Sequence, residues 1–318
     1  MKPILSILII NWNGASDTES LISDLEPQLL KFPLGEIEVL LLDNGSDLPV
    51  PTSWRLWRHV SLLETAENLG YSGGMRLLTD NAQGEYCWLV NNDVRLTDDA
   101  VSGVMKGIGA SGADVLFPMV LNPDGSVQSR DCWWSGLRGW RMPRPRADEV
   151  DRYPIFGDLF VAPVIRSSLF EELGILPPLF HTYGEDIDAC YALAARGLKV
   201  LRDPHIVLKH RKSSSKPVDD RQRFKFETRG AANLIASIIL NYQVSSFVLA
   251  IPVAAKVLLY DMLLKRRRSF RHAWAWRFWF NIPVRASIVA WQLRDVRKLR
   301  QTHRALSDVA TWGRRCEE

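Results

Sequence analysis

The chain has 318 residues, 47% of them hydrophobic and 24% charged, a balance that excludes a disordered, collagenous or disulfide-built protein. Its four cysteines, Cys87, Cys132, Cys190 and Cys316, form no CxxC pair, which argues against a structural zinc site and fits a reducing compartment. The net charge of +4 hides an asymmetry: residues 1–223 carry 23 Lys and Arg against 30 Asp and Glu, a balance of −7, whereas residues 224–318 carry 17 against 6, a balance of +11.

The opening stretch MKPILSILIINWNG has too short an apolar run for a signal sequence and is expected to be a first strand, Ile4 to Ile10. Further apolar runs bounded by turn residues follow at Val39–Leu42, Val60–Leu63, Cys87–Val90 and Val115–Phe117, as expected of strands buried on both faces. Between them helical spacing covers Ser16–Leu30, interrupted by Pro27, then Ser72–Asn81 and Asp98–Ile108. This alternation predicts an α/β domain with a parallel sheet and crossover helices, in which ligands gather at the carboxyl ends of the strands. Asn11–Gly14, Asp43–Asp47 and Asn91–Asp93 lie at such ends. Residues Asn122 to Pro154, rich in Trp, Arg, Pro and Gly, show no period and are expected to be irregular; their Trp133, Trp134 and Trp140 could wall an acceptor site or pack in the core. A strand or strand pair over Phe156–Ile165, a helix over Ser167–Leu173, a helix starting near Glu185 and a run Ile206–Leu208 complete the expected domain, residues 1–223.

Residues 224–318 form a second, basic helical region. Gly230–Ala255 contains no charged residue, yet its Asn233, Asn241, Gln243, serines and Pro252 argue against a membrane span. The cations at 265–268 and the Arg and Trp residues from Arg271 to Trp279 suit helices lying at an anionic membrane surface, with a soluble helical subdomain or a subunit contact in a homo-oligomer as the alternatives. Because the positive charge coincides with apolar runs and tryptophans, nucleic acid is not an expected partner.

Glu185, Asp186 and Asp188, ahead of Arg196 and Gly197, are either an ordinary helix with acids at its positive dipole end or, being three carboxylates in four positions that exceed what one cap requires and raise one another's pKa, the source of a general base. Asp93 is a candidate ligand for a hard cation, against a simple turn; Asp43 is a candidate acceptor for a base or ribose hydrogen bond, again against a turn. The glycine-rich stretch Asn68–Gly74 opens a helix as a phosphate-approaching loop does, but contains neither GxGxxG nor a P-loop. His210, with His205 as a weaker rival, is a possible metal ligand or an ordinary edge residue.

Taken in order, SILIINWNG at 6–14, LLLDNGSD at 40–47, NLGYSGG at 68–74, WLVNNDV at 88–94, GDLFVAPVIRSSLFEELG at 157–174, YGEDIDACYALAARG at 183–197 and VLKHRKSSS at 207–215 resemble the inverting glycosyltransferases of family 2, and most closely their rhamnosyltransferase-like branch. The resemblance covers about two thirds of the chain. It implies a GT-A fold with a mostly parallel Rossmann-like sheet, a nucleoside-diphosphate sugar donor (dTDP-rhamnose) and a cell-envelope glycan or lipid-linked precursor as acceptor. It further implies Mg²⁺ or Mn²⁺ as cofactor; together with the basic region after residue 223, the expected location is peripheral, at the cytoplasmic face of the membrane. By the same resemblance Asn11, Trp12, Asn13 and Asp43 border the nucleoside, and Asn68 and Gly70 line the diphosphate side. Asn92 and Asp93 stand where the DxD motif falls, with Asp93 and His210 as metal ligands. Asp186 is the implied base, and Glu185 and Asp188 position acceptor hydroxyls. The first DxD acid is Asn91 here, and Met75 and Arg76 depart from the family pattern. A nicotinamide-dependent oxidoreductase, disfavoured by the missing GxGxxG, and a non-catalytic sugar-nucleotide-binding protein are the competing readings.

Overall fold

Alternation of side chains along a strand sends Ile7 and Ile9 to one face and Leu8 to the other, and all three are fully buried, so helices must cover both faces. In a computed structural model, which describes residues 2–131, 133–134, 140–141, 153–155, 157–158, 160–212, 220–241 and 284–301, they do. The sheet is built from β1 (Leu5–Asn11), β2 (Ile37–Asn44), β3 (Val60–Thr65), β4 (Tyr86–Asn91), β5 (Val94–Leu96) and β6 (Val115–Leu121), with β9 (Tyr153–Pro154), β10 (Val164–Arg166) and β11 (Val200–His210) added later in the chain. Its order is β3-β2-β1-β4-β10-β6-β11-β5, and β9 also pairs with β11.

Helices α1 (Ala15–Leu29) and α3 (Ala100–Ser111) cover one face with Leu21, Ile22, Leu25, Val101, Val104 and Ile108. Helices α2 (Gly70–Asn81), α4 (Ser168–Leu173) and α5 (Glu185–Ala195) cover the other with Met75, Leu78, Phe170, Leu173 and the 189–193 run. Helix α1 continues through Pro27 because its buried stripe, Leu21, Ile22, Leu25 and Leu29, is held on the sheet, which outweighs one lost amide bond near its end.

The sheet is mixed, which corrects the mostly parallel expectation. Pairings β1–β2, β1–β4, β2–β3 and β6–β11 are parallel. Strand β10 enters antiparallel between β4 and β6, and β5 and β9 run antiparallel to β11. Strands β5 and β10 span three residues each, too few to give an apolar run whose direction the sequence could indicate. The excursion is not wholly irregular either: β7 (Trp133–Trp134) pairs antiparallel with β8 (Trp140–Arg141).

The compositional division after residue 223 falls inside α6 (Asp220–Asn241), a single helix. Phe180, Ala236, Leu240, Val289 and Leu293 form one small core that fastens α6 and the helical residues 284–292 to the turn at 178–180, followed by α7 (Arg294–Gln301). Among the described residues no helix is long and apolar enough to cross a membrane. Residues 242–283, which include the rest of the uncharged stretch and the Arg/Trp-rich segment, lie outside the described residues.

Candidate functional site

The parallel register sets Asn11 beside Asp43 and Ile10 beside Asn91, so three chain segments release polar residues at one sheet edge. Asn11 Nδ2 donates to Asp43 Oδ1 (2.8 Å) and to Ser46 Oγ (3.1 Å), while its Oδ1 accepts from Thr18 Oγ1. Asp43 is buried, yet its Oδ2 has no hydrogen-bond partner among the described residues, which leaves that oxygen for a ligand. Asn13 has φ of 54° and exchanges hydrogen bonds with Asp47, a left-handed turn that asparagine tolerates. The Trp12 indole between them is exposed.

Asn92 is turned inward: its amide donates to Gly14 carbonyl oxygen and Thr18 Oγ1, fastening the end of β4 to the start of α1. Its Nδ2 thus holds the loop. Asp93 is placed otherwise. Antiparallel pairing of β5 with β11 sets His210 opposite Val94, and His210 Nε2 lies 3.0 Å from Asp93 Oδ1. Gln128 meets His210 Nδ1, fixing the ring with Nε2 toward the carboxylate. No group of three His, Cys, Asp or Glu suited to a metal occurs among the described residues. One carboxylate and one oriented imidazole nevertheless fit a divalent ion that completes its shell with water and phosphate oxygens. His205 is exposed at the irregularity in β11 between Asp203 and Val207.

The glycine-rich loop does not form the expected phosphate cradle. Gly70 N–H donates to Asn68 Oδ1, Tyr71 N–H to Thr182 Oγ1 and Ser72 N–H to the His181 carbonyl, so protein acceptors occupy the first amides of α2. Gly70 has φ of 73°, and a Cβ there would lie 2.4 Å from the His181 ring and 2.5 Å from its carbonyl oxygen. The glycine serves close packing of segment 178–184. Asn68 is likewise engaged, since Asn44 Nδ2 donates to its Oδ1 and to the Gly70 carbonyl.

That packing brings the acidic start of α5 to the same edge. Positive φ at His181, Tyr183 and Gly184 turns the chain sharply into Glu185, and Asn233 of α6 clasps the turn by donating to the Phe180 and Tyr183 carbonyls. Tyr71 is partly buried, donates its hydroxyl to the Phe160 carbonyl, and has its pKa raised by desolvation and by the charges of Glu185 and Asp186. One residue on, the Val161 carbonyl accepts from Asn91 N–H, so Tyr71, which lies in the field of the acid pair, and the β4 end that carries Asp93 are held to adjacent residues.

Burial lifts the Glu185 carboxyl well above its usual range, with Asp186 the next cause, and Glu185 Oε2 is buried with no hydrogen-bond partner. Asp186 is half-buried and raised to about 6, mainly by burial, with Asp158 adding to the rise against backbone amides that lower it. Asp188 corrects expectation: it is fully buried, its two oxygens take Arg300 Nη1 and Nη2 at 2.8 Å each, and Asn241 also donates to it. With no exposed oxygen it cannot position an acceptor; it ties α5 to α6 and α7.

Sequence reasoning passed over the buried Arg202, which donates to Asp158 (2.7 Å), Asp131 (2.9 Å) and Ser129 and so holds the Asp158 charge near Asp186. It also passed over Tyr71, His181 and Arg300. An arginine inside an apolar strand was the one local signal for Arg202; the others are joined only by long-range packing.

Fold and site together define an α/β enzyme with a mixed sheet, a carboxylate–imidazole pair suited to a cation, and a high-pKa aspartate on the same edge. The chain belongs to glycosyl transferase family 2, whose model matches residues 6–174. Among curated proteins it is 22% identical over 203 residues to the low-salt glycan biosynthesis hexosyltransferase Agl10 of Haloferax volcanii (62% of this chain, 63% of that protein). It is 24% identical over 231 residues to the O-antigen biosynthesis protein RfbC of Myxococcus xanthus (68% of this chain, 18% of that protein). The chain therefore spans less than two thirds of either relative. Among solved structures, GalNAc-T7 with UDP, GalNAc and Mn²⁺ matches 97% of this chain and 56% of its own at 14% identity and a TM-score of 0.64. Staphylococcus aureus TarS 1–349 in complex with UDP-GlcNAc matches 99% and 92% at 16% identity and a TM-score of 0.59. These likenesses show the GT-A-like fold.

Proposed function

We propose that the protein is an inverting transferase that moves a sugar from a nucleoside-diphosphate donor to a hydroxyl of a glycan or lipid-linked precursor, in the biosynthesis of a cell-envelope polysaccharide. The observation that carries this reading is Asp186: a carboxyl raised to about 6, set at the head of α5 and joined through Tyr71 and Phe160 to the edge that carries Asp93 and His210. The curated relatives' names, a glycan-biosynthesis hexosyltransferase and an O-antigen biosynthesis protein, support the substrate class. The rhamnose assignment rests on the sequence motifs alone, since the solved relatives hold UDP, UDP-GlcNAc or GDP-mannose.

Asp43 Oδ2 accepts a hydrogen bond from the nucleoside, and exposed Trp12 offers an apolar face beside it. The acceptor hydroxyl passes its proton to Asp186 as its oxygen bonds to the anomeric carbon and the carbon–oxygen bond to the diphosphate breaks from the opposite face, which inverts the centre. Asp93 and His210 would hold Mg²⁺ or Mn²⁺, which supplies positive charge to a diphosphate leaving group.

An exposed apolar stripe, Val284, Ile288 and Trp291, recurs at helical spacing beside Arg285 and an Arg294 guanidinium 5.0 Å from the Trp291 ring. It supports a peripheral seat on an anionic membrane surface, here assigned to the cytoplasmic face. Two measurements test the proposal. A panel of nucleotide sugars with and without Mn²⁺ should yield one product whose anomeric configuration is inverted by NMR, and retained configuration would refute direct displacement. Replacing Val284, Ile288 and Trp291 by serine should release the protein from phosphatidylglycerol vesicles, and undiminished retention would remove the stripe from membrane binding.

A further inference from the structure

Three cations converge behind the turn that leads into Glu185. Lys225 and Arg229 lie one turn apart on the same face of α6, and Arg285 precedes Ala286, which packs against Ala232 of α6 one turn beyond Arg229. All three act on the His181 ring, and Arg285 also acts on Arg229. Arg229 Nη1 sits 2.8 Å from His181 Nδ1, a contact that needs that nitrogen as acceptor and therefore a neutral ring. Burial and the neighbouring cations lower the His181 pKa, in agreement with that geometry.

None of the three cations is in an ion pair with a described residue, and Arg229 Nε is buried with no hydrogen-bond partner. Like charges held together around a half-buried guanidinium with an unused donor are unfavourable for the protein alone and await an anion. The position narrows which anion. The glycine-rich start of α2 is closed by segment 181–182, so a substrate phosphate gains no amides there. Arg229 stands directly behind that segment, against the His181 ring, and Tyr183 feels the charges of both Glu185 and Arg229.

We infer that Arg229, Lys225 and Arg285, backed by neutral His181, form a binding site for a phosphate or diphosphate group of a substrate, next to the acid pair at the head of α5. The inference deepens the transferase reading and rests on it for which substrate brings the phosphate. Two sources share this chemistry: the donor's diphosphate, and the phosphate of a lipid-linked acceptor. Arg285 shares its helix with the exposed Val284, Ile288 and Trp291, which puts the cluster on the way from an apolar surface to Asp186 and favours the acceptor.

The test is calorimetric titration of the full chain with inorganic pyrophosphate in EDTA, which removes any contribution from a cation at Asp93 and His210. The wild-type protein should bind with an affinity that falls as salt rises. Arg229→Gln, and separately the pair Lys225→Gln and Arg285→Gln, should each weaken binding tenfold or more, with Arg229→Lys between. The side chains of Lys225 and Arg285 are exposed, so the pair keeps the test decisive if Arg229→Gln fails to fold. No pyrophosphate binding by the wild type, or equal affinity in wild type and variants, overturns the site. Parallel loss of UDP and dTDP affinity in Mn²⁺ identifies the donor as source; loss confined to a short-chain prenyl diphosphate identifies the acceptor. Pyrophosphate binding retained by a protein that transfers no sugar from any donor would refute the transferase reading and leave the anion site standing.

Discussion

Replacing Asp186 by asparagine separates chemistry from stability, because the same burial that tunes the carboxylate also strains it. With its carboxyl at about 6, Asp186 is roughly 90% ionised at pH 7 and roughly 10% at pH 5, so the rate should fall about tenfold between those values. Loss of the base altogether should lower turnover by about 10²–10⁴-fold while donor binding survives. The stability effect has the opposite sign. Since the folded state holds its proton more tightly than the unfolded chain, the carboxyl is without cost below about pH 4 and destabilises progressively as pH rises through 6. Lifting a carboxyl from 3.8 to about 6 costs the ionised folded state up to about 3 kcal/mol, and water reaching the half-buried side chain reduces this to about 1–2 kcal/mol. Asp186→Asn should therefore melt a few degrees higher than wild type at pH 8 and level with it at pH 4. Initial rates from pH 5 to 8 and thermal melts at both ends measure the two effects. Near-normal turnover in the variant, or a wild-type rate flat across pH 6, would refute the assignment.

Asp188→Ala strands the Arg300 guanidinium among Leu173, Gly174 and Asn241 without its carboxylate, and should cost about 3–5 kcal/mol in urea unfolding. Gly70→Ala forces a methyl group against the His181 ring and carbonyl at a left-handed backbone position; a loss of about 2–4 kcal/mol is expected, with donor binding impaired only as folding fails. Asp93→Ala and His210→Ala should each abolish the Mn²⁺-dependent part of donor affinity in fluorescence titrations while leaving the melting temperature within a few degrees. An unchanged metal response in either would assign the cation elsewhere.

The apolar runs of β1, β2, β4 and β6 are visible in the sequence because a strand covered by helices on both faces must be apolar at successive positions. Asp43, Asp93 and the acids of α5 are visible for a related reason: polar residues that end such a run stand at a strand end or a helix start. Locally, however, Asp186 and Asp188 look alike. They lie two positions apart on a helix and so face different surroundings, one toward the Tyr71 side and the other toward Arg300.

What the residues alone determined, then, is the layered α/β scaffold, the family resemblance and the set of acids from which a site can be drawn, since these follow from local periodicity and motif spacing. Tertiary structure alone decided that β10 enters the sheet antiparallel, that His210 meets Asp93, that His181 fills the glycine loop, and that Arg300 takes Asp188 out of the chemistry. Each of these is a contact between groups tens to more than a hundred positions apart, and no local propensity encodes which distant partner will neutralise a charge or fill the space above a glycine.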